Sequence, residues 1–459
     1  MSSAWFFERI EEWRDQPAIV WSDQAYSYGD LIDRMHTWQD VLQQHGVGAG
    51  SVVLLEGSFS PNACALLLAL ITQGAIAVPL TSHVRVHQDT FANIAEAQYS
   101  IIFDDHDDWV ISRHDRQVAN PLTLKLIDRG HPGLVIFSSG STGNHKAVLH
   151  DFTALLEKFH KPRQRKTTLT FLLFDHIGGI DTLFNTFSSG GTVVTVANRD
   201  SETVCKAIAK HRVHTLPTSP TFLNLMLISE DYRNHDLSSL QVITYGTEPM
   251  PEATLQRLCE AFPHVNFVQT YGLSELGVLR SRSKESGSLW LKFSGDGFET
   301  KIVDGMLWVR TPAAMLGYLN ASDLFDEDGW LNTQDAVEVD GEYLRILGRA
   351  TDLINVGGQK VYPAEIENVL LLLENVGDVA VYGERNPLTG QIVAARFNLV
   401  THEELDAFKR RMRAFCRSRL ASYKIPVRVE ITEQEQYGAR FKKMRRAEAL
   451  ESHQKEHEL

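Results

Sequence analysis

The chain of 459 residues is 43% hydrophobic and 22% charged, a composition typical of folded globular proteins. Its length exceeds what one hydrophobic core usually holds, so we expect two or three domains. The formal net charge of −13 argues against general nucleic-acid binding, because a duplex would be repelled. Four scattered cysteines predict reduced thiols in a cytoplasmic protein, with no disulfide framework and no cysteine metal site: Cys64, Cys205, Cys259 and Cys416.

The first hundred residues alternate helix-like and strand-like segments. Their patterns predict helices over 4–14, 30–44 and 63–70, and strands over 18–21, 52–56 and 75–80. Charge appears at Glu8, too early for a signal peptide. The uncharged span 58–83 is interrupted by Gly74 and Pro79, so we expect a buried helix and strand there and no membrane span. The predicted fold class is α/β, with mainly parallel sheets in a large multi-layer N-terminal domain.

A segment rich in glycine and hydroxyl side chains follows a strand predicted over 135–137. Glycine permits the curvature that turns backbone N–H groups inward, while the hydroxyls and Lys146 add donors and positive charge. The segment lacks the Gly-Lys-Ser/Thr ending of a Walker loop. A phosphate cradle and a flexible surface turn both fit this composition. Its candidate binding residues are Ser138, Ser139, Gly140, Ser141, Thr142, Gly143 and Lys146.

The middle of the chain continues the alternation. Strands are predicted over 169–174, 191–196 and 241–245, with a further strand ending at Thr215, and helices over 201–211 and 220–227. His176 follows the strand predicted over 169–174, a position at which an isolated histidine is most often structural. The strand over 241–245 leads into a turn of sequence Gly246-Thr247-Glu248-Pro249-Met250.

The segment 269–275 places three chemical functions within five residues. Tyr271 offers an aromatic face for a base, Ser274 a hydroxyl for a phosphate, and Glu275 a carboxylate that can hold Mg²⁺ against phosphate oxygens. Ser274 can also be the first residue of a capping box that opens a helix, and the two interpretations are compatible.

Together these segments resemble the motifs of the acyl-adenylating (AMP-forming) superfamily, which includes acyl- and aryl-CoA synthetases, nonribosomal peptide synthetase adenylation domains and luciferases. The resemblance continues through 329–335, 348–367 and 437–446, so that six motifs occur in the expected order from residue 138 to 446. The chain departs from the superfamily pattern at five positions: His145, Ala147, Gln334, Thr351 and Phe441.

The resemblance implies that ATP, Mg²⁺ and coenzyme A are used. The loop 138–146 would hold the β- and γ-phosphates, Glu275 with Ser141 the metal, and Asp335 the ribose, for which a carboxylate offers two acceptor oxygens. His176 would line the acid pocket and take part in catalysis. The remaining nucleotide- or coenzyme-binding candidates are Gly246, Thr247, Glu248, Tyr271, Gly272, Ser274, Arg349, Gly357, Gly358 and Lys360.

From residue 350 the pattern changes to a small α+β domain. We predict an N-terminal domain over 1–349 and a mobile C-terminal lid over 350–459, hinged near Thr351, whose β-branched side chain restricts the backbone. Helices are predicted over 364–374 and 403–420, and strands over 376–382 and 393–400. Residues 409–446 hold thirteen Lys or Arg against three Glu, which fits a solvated helix, the phosphates of coenzyme A or an acidic carrier protein.

The end of the lid carries the predicted catalytic lysine. Aligned on the Lys-x-x-Arg spacing of the superfamily, this lysine is Lys442 and the arginine is Arg445, with Lys443 as a rival. A cation is needed there because the reacting carboxylate and the α-phosphate repel each other, and it relieves that repulsion most in the transition state.

The predicted function is AMP-forming activation of a small-molecule carboxylic acid, followed by acyl transfer to coenzyme A. The alternatives are transfer to the phosphopantetheine of an acyl carrier protein, or a nucleotide-binding relic without turnover. We expect coenzyme A because the chain ends after the lid. An apolar pocket suited to an aryl or alkyl acid is predicted from Phe174, His176, Phe222, Tyr245, Gly246, Tyr271 and Leu273.

Overall fold

The computed structural model describes residues 3–139, 145–294, 297–322 and 324–445. Two seven-stranded sheets form most of the N-terminal part. The strands of the first sheet, in spatial order, are Asn266–Gln269, Val242–Tyr245, Thr215–Thr218, Thr167–Leu169, Thr192–Val194, Pro17–Trp21 and Gln24–Ser27. Only the last strand runs antiparallel to its neighbour.

The second sheet has a parallel centre and antiparallel edges. In spatial order its strands are Gly317–Tyr318, His145–Asp151, Gly133–Ser139, Ile76–Leu80, Val52–Glu56, Tyr99–Phe103 and Trp109–Arg113. Ile76–Leu80 pairs in parallel with both Gly133–Ser139 and Val52–Glu56. Val52–Glu56 also pairs in parallel with Tyr99–Phe103. The central strands are buried on both faces, as expected of parallel strands between helical layers.

Helices fill the space between the two sheets and cover their outer faces. Helix Pro61–Thr72 is almost wholly buried and packs in one core with Tyr28–Gln44 and Ile177–Phe187, against both sheets. Proline at the first position and Ser60 as N-cap explain where this helix begins. The other helices are Ala4–Glu11, Gln88–Ile94, Pro121–Asp128, Phe152–Glu157, Ser201–His211, Pro220–Ser229 and Glu252–Ala261.

A third, six-stranded antiparallel sheet follows, and then a C-terminal sheet. The third sheet consists of Ser281–Ser283, Leu291–Phe293, Tyr343–Arg349, Leu331–Asp340, Met306–Arg310 and Glu299–Val303. The C-terminal sheet consists of Gln359–Val361, Ile354–Val356, Gly390–Leu399, Val376–Asn386 and Arg428–Ile431, packed with helices Pro363–Leu370 and Leu405–Cys416. A hairpin of Tyr271–Leu273 and Gly277–Leu279 lies apart from these sheets.

Most of the predicted elements occur, and the predicted α/β fold class is confirmed. Two expectations are wrong. The strand expected over 169–174 ends at Leu169, because the chain turns there toward the helix that begins at Ile177. Thr215 begins a strand and does not end one. Within the ranges described, no helix combines the length and apolar character that crossing a bilayer requires.

Candidate active site

One cavity of about 920 Å³ collects most of the described candidate residues. Its walls come from the first sheet, the helix Ile177–Phe187, the hairpin after Tyr271 and the C-terminal segment. Predicted residues that line it are Ser138, Lys146, His176, Gly246, Thr247, Gly272, Ser274, Glu275, Arg349 and Lys442. Residues more than 300 positions apart in the sequence therefore meet at one site.

The proposed phosphate loop joins two antiparallel strands of the second sheet. Gly140, Ser141, Thr142 and Gly143 lie outside the described residues, but Ser138 and Lys146 pair across the two strands. The start of the second strand is clamped by Asn320, whose Oδ1 accepts from the Ala147 N–H at 2.9 Å and whose Nδ2 donates to the His145 carbonyl at 2.9 Å. Sequence reasoning missed Asn320, because it lies 175 positions from its partner.

Two side chains that the sequence analysis missed, Tyr318 and His150, support Glu275 and the residue before it. The Tyr318 hydroxyl donates to Glu275 Oε1 at 2.6 Å, and the Lys146 ammonium lies 4.8 Å from the Tyr318 ring centroid. His150 Nε2 donates to the Ser274 carbonyl at 2.6 Å. Burial lowers the pKa of His150 to about 4, so the imidazole is neutral at pH 7.

The helix considered possible after Ser274 does not form. The chain instead makes the tight hairpin, with Gly277 at a φ of +71°. This φ favours glycine, and the turn points Glu275 toward Tyr318 and the cavity.

Tyr271 and Asp335 are buried beside the cavity and join the exposed Arg349 in one polar group. The Tyr271 hydroxyl donates to Asp335 Oδ2 at 2.5 Å, and Arg349 Nε lies 3.4 Å from Asp335 Oδ1. Burial raises the pKa of Asp335, while the Arg349 charge and the Tyr271 hydrogen bond oppose that rise. Asp335 and Tyr271 lie just behind the cavity wall, whereas Arg349 reaches the cavity itself.

His176 begins the helix Ile177–Phe187 as its N-cap. Its Nδ1 accepts from the Gly178 N–H at 3.0 Å. Burial, together with the charges of Arg440 and Lys442, lowers the pKa of His176 to about 3 and keeps the ring neutral. A Cβ at Gly179 would lie 2.0 Å from the Leu173 carbonyl oxygen, so this helix start has no room for a side chain there.

Three positions at the site hold non-glycine residues in the left-handed region of φ. Thr247, Gln334 and Phe441 have φ of +73°, +60° and +48°. Gln334 and Phe441 are two of the five positions at which the chain departs from the superfamily pattern, and this region of φ favours glycine. A side chain with its backbone in this region costs about 1–2 kcal/mol, so the surrounding contacts must hold these residues in place.

The C-terminal segment Tyr437–Arg445 distinguishes the two candidate lysines. Lys442 lines the rim of the cavity, where the residue stays accessible to solvent. Partial desolvation and the positive charge of Arg349 lower the pKa of Lys442. Lys443 points the other way: its Nζ is 2.8 Å from both Asp378 Oδ1 and the Val379 carbonyl. The nearby carboxylates raise the pKa of Lys443 against the effect of burial.

The same segment is anchored to the N-terminal part through its main chain, the Phe441 ring and Arg440, whose Nη2 lies 3.3 Å from Asp175 Oδ2. The Phe441 ring lies 5.2 Å from Phe171 and 5.7 Å from Phe222. Arg199 Nη2 donates to the Ala439 carbonyl at 2.7 Å, and the Lys443 N–H donates to Glu248 Oε2 at 3.0 Å. Glu248 therefore contacts the C-terminal segment and does not line the cavity.

The proposed coenzyme residues lie elsewhere. Gly357 and Gly358 form a turn with φ of +58° and +88°, and Gly358 with Arg385 and Gln391 lines a separate surface pocket. Lys360 is exposed in the following strand. None of the three lines the 920 Å³ cavity.

Of the seven residues predicted for the apolar acid pocket, His176, Gly246 and Leu273 line the cavity, and the other four need correction. Phe174, Phe222, Tyr245 and Tyr271 are buried behind the cavity wall and do not line it. Phe174 packs against Phe59, and Phe222 and Tyr245 belong to the core on the outer face of the first sheet. The surface that does face the cavity is richer in threonine and in basic side chains than the sequence indicated.

The residues present fit a magnesium ion bound with phosphates. Glu275 offers a carboxylate at the cavity, and Ser141 lies outside the described residues. Among residues that the structure describes, no three His, Cys, Asp or Glu side chains form a metal cluster. This donor set suits Mg²⁺, which usually takes one or two carboxylates and completes its shell with phosphate oxygens and water.

The family models and the similar proteins all indicate the same enzyme family. Residues 6–319 match the model of the AMP-binding enzyme family, and residues 365–440 match that of the AMP-binding enzyme C-terminal domain. The chain is 28% identical to indoleacetate–CoA ligase of Aromatoleum aromaticum, covering 92% of this chain and 93% of the relative. It is 26% identical to long-chain-fatty-acid–CoA ligase FadD13 of Mycobacterium tuberculosis, covering 90% of each.

Solved structures share the fold. The anthranilate CoA ligase AuaEII in complex with anthranoyl-AMP superposes with a TM-score of 0.81 at 20% identity, covering 99% of this chain and 98% of the other. ATP-bound MatB from Rhodopseudomonas palustris gives a TM-score of 0.78 at 20% identity, covering 95% of each chain. The predicted family, fold class and ligase class are confirmed, and the chain belongs to the AMP-binding enzyme family.

Proposed function

We propose that the protein activates a carboxylic acid with ATP to an acyl-adenylate and then transfers the acyl group to the thiol of coenzyme A. The observation that carries this proposal is the meeting of Lys442 with Lys146, Glu275 and Arg349 at one cavity. These charges match a triphosphate, a metal ion and a carboxylate that must approach one another.

In the first half-reaction, a carboxylate oxygen forms a bond to the α-phosphorus, and the bond from that phosphorus to the bridging oxygen breaks to release pyrophosphate. Lys442 stabilises the negative charge that develops between the two anions, and the described ends of the loop, Ser138 and Lys146, hold the outer phosphates. Arg349 orients the phosphates, and Asp335 accepts hydrogen bonds from the ribose. His176, neutral and fixed as a helix cap, shapes the wall beside the reacting carboxylate.

Glu275 would hold Mg²⁺ with Ser141, and the ion would neutralise charge on the phosphates when bound. Tyr318 and His150 keep Glu275 and its backbone oriented for that task. The adenine would lie against the Tyr271–Gly272 strand and the turn at Gly246.

In the second half-reaction, the lid 350–459 rotates about Thr351 relative to 1–349. The rotation withdraws Lys442 and brings the Gly357–Gly358 turn and Lys360 toward the adenylate. The thiolate sulfur then bonds to the acyl carbon, and AMP leaves. Coenzyme A is the favoured acceptor because the relatives named above are CoA ligases. A carrier-protein phosphopantetheine is the alternative acceptor. A cytoplasmic location is part of the proposal, consistent with four free cysteines.

Pyrophosphate–ATP exchange with a panel of aryl, short-chain and long-chain acids tests the first step. We expect exchange that depends on one class of acid and on Mg²⁺. Exchange with no acid, while ATP still binds, would contradict the proposal and favour a nucleotide-binding relic. Comparing free coenzyme A with a phosphopantetheinylated carrier protein as acceptor then tests the second step.

A further inference from the structure

Beyond the reaction centre, the cavity continues as a channel between the first sheet and the helix Ile177–Phe187. One wall is formed by alternate residues of three neighbouring strands: Thr215 and Pro217, Val242 and Thr244, Val268 and Thr270. From Gly246 to Val242 this wall extends about 13 Å at the rise of a β-strand. The channel is therefore long enough for an extended acid.

The opposite wall runs in the same direction. His176, beside Lys442 and Arg440, marks the start of the helix, and Asp181, Asn185 and Ser189 follow along it. An 11-residue helix spans about 16 Å. The Arg163 N–H donates to Ser189 Oγ at 3.1 Å, so Arg163 lies at the far end of this wall.

Basic side chains surround the distal part of the channel. Lys166 lies just before the strand whose Thr168 is in register with Thr215, at the end of the sheet opposite Gly246. The basic residues lining this part are Lys158, Arg163, Lys166, Arg280 and Arg282, and the carboxylate facing them is Asp181. Asp181 is already paired with Lys158.

Four of these cations form no ion pair with a carboxylate in the part of the chain that the structure describes: Arg163, Lys166, Arg280 and Arg282. Arg280 Nη2 donates instead to the Lys158 carbonyl. Partial desolvation and the neighbouring Arg280 charge lower the pKa of Arg163, and the Asp181 charge opposes this shift. The Arg163 residue itself is exposed at this end of the channel. The Arg163 and Arg280 guanidinium groups repel each other, and the one carboxylate that faces them, Asp181, offsets this repulsion only in part. An anion placed in the channel would relieve it further.

We propose that the acid activated by this protein is elongated and carries a second anionic group, which the distal cations Arg163, Lys166 and Arg280 bind. This inference rests on the proposed function and specifies its substrate class. The sheet wall is mixed, with three threonines alternating with Pro217, Val242 and Val268, so it can accommodate a chain that ends in a polar group. A second carboxylate is the simplest such group.

The test compares straight-chain monocarboxylic acids with α,ω-dicarboxylic acids of the same length in pyrophosphate exchange. We expect the dicarboxylic acid to have the higher kcat/KM by at least about tenfold at the best length, as charge-assisted hydrogen bonds produce. Arg163→Gln should remove most of this preference while leaving kcat/KM for the monocarboxylic acid and KM for ATP unchanged. The matched control is Lys161→Gln, in the same loop but outside the cavity lining.

The double variant Arg163→Gln/Arg280→Gln should invert the preference. Equal kcat/KM for the two acids in the native protein, or equal losses for both in Arg163→Gln, would overturn the inference and leave the proposed function intact. Absence of exchange with every acid would contradict the proposed function. If no acid supports exchange, the inference is still tested by the melting temperature of the ATP-bound protein with each acid. A rise with the dicarboxylic acid that Arg163→Gln abolishes supports the inference. An equal rise with the monocarboxylic and the dicarboxylic acid overturns it.

Discussion

The two sides of the cavity are held in different ways. On the N-terminal side, side chains from different sheets and turns support one another at 2.5–2.6 Å, as in the pairs Tyr271–Asp335 and Tyr318–Glu275. On the other side, Lys442 belongs to a segment outside the regular strands, with one isolated bridge between Tyr437 and Lys443. That segment is held by the Phe441 ring and a few polar contacts. In the proposed mechanism, the first side is the fixed binding surface and the second side carries the cation that is withdrawn.

The largest expected effect is on Lys442. Lys442→Ala should lower adenylate formation by at least about 10²-fold, because it removes the cation that acts on the transition-state charge. Thiolation of a supplied acyl-adenylate should be retained, since that step does not use Lys442. Pyrophosphate exchange and single-turnover thiolation measure the two steps.

Lys443→Ala is the matched control for Lys442→Ala. Removing one partner of the buried pair with Asp378 should cost about 3–5 kcal/mol of unfolding free energy, whereas Lys442→Ala should change it little. If Lys443→Ala stays folded and alone abolishes exchange, the assignment of Lys442 is wrong.

On the fixed side, Asp335→Ala should weaken ATP binding. The loss of charge-assisted hydrogen bonds to the ribose is worth about 1.5–3 kcal/mol each, so KM for ATP should rise at least tenfold. Tyr271→Phe, which removes the hydroxyl that donates to Asp335 but keeps the ring, should have the smaller effect. Unchanged ATP affinity in Asp335→Ala would exclude this carboxylate from the ribose site.

Phe441→Gly tests how the C-terminal segment that carries Lys442 is held against the cavity. Glycine adopts a φ of +48° without strain, but the contacts with Phe171 and Phe222 are lost, each aromatic pair being worth about 0.5–1.5 kcal/mol. The loss of these two ring contacts outweighs the relief of backbone strain, so the C-terminal segment should dissociate from the cavity more readily. We expect exchange to fall about tenfold while thiolation of supplied adenylate is unchanged or faster. Equal losses in both half-reactions would show that Phe441 does not select between the two arrangements.

The smallest expected effect concerns His150 and pH. Its pKa is about 4 in the folded protein and 6.5 in the unfolded chain, so the unfolded state binds more protons between these values. Stability should therefore fall as the pH is lowered from 6.5 toward 4, by about 2 kcal/mol between pH 7 and 5. His150→Gln should remove that part of the pH dependence, as measured by urea unfolding. If the unfolding free energy of the variant and of the native protein changed equally with pH, His150 would not be the source of this pH dependence.

Much of the local structure could be predicted from the residues in sequence. The strand Val52–Glu56 and the helix Ser201–His211 have the predicted bounds, because the signals are local: a buried apolar run in the strand, and apolar periodicity with an N-cap at Asp200 for the helix. The order of the motifs identified the family, and the Lys-x-x-Arg spacing selected Lys442. The domain boundary near residue 350 stays a prediction, although the third sheet ends at Arg349 and the C-terminal sheet begins at Ile354.

Only the tertiary structure decided which side chains face the acid. Phe174, Phe222 and Tyr245 belong to apolar segments near the motifs, yet each packs into a core. Side-chain direction alternates along a strand, so the cavity-facing set depends on which face the helix Ile177–Phe187 covers. Asn320, Tyr318 and Arg163 carry no motif, and their positions follow from contacts with distant strands and helices. The sequence determined the chemistry of activation, whereas the packing of distant elements determined which charged side chains line the channel beyond the reaction centre.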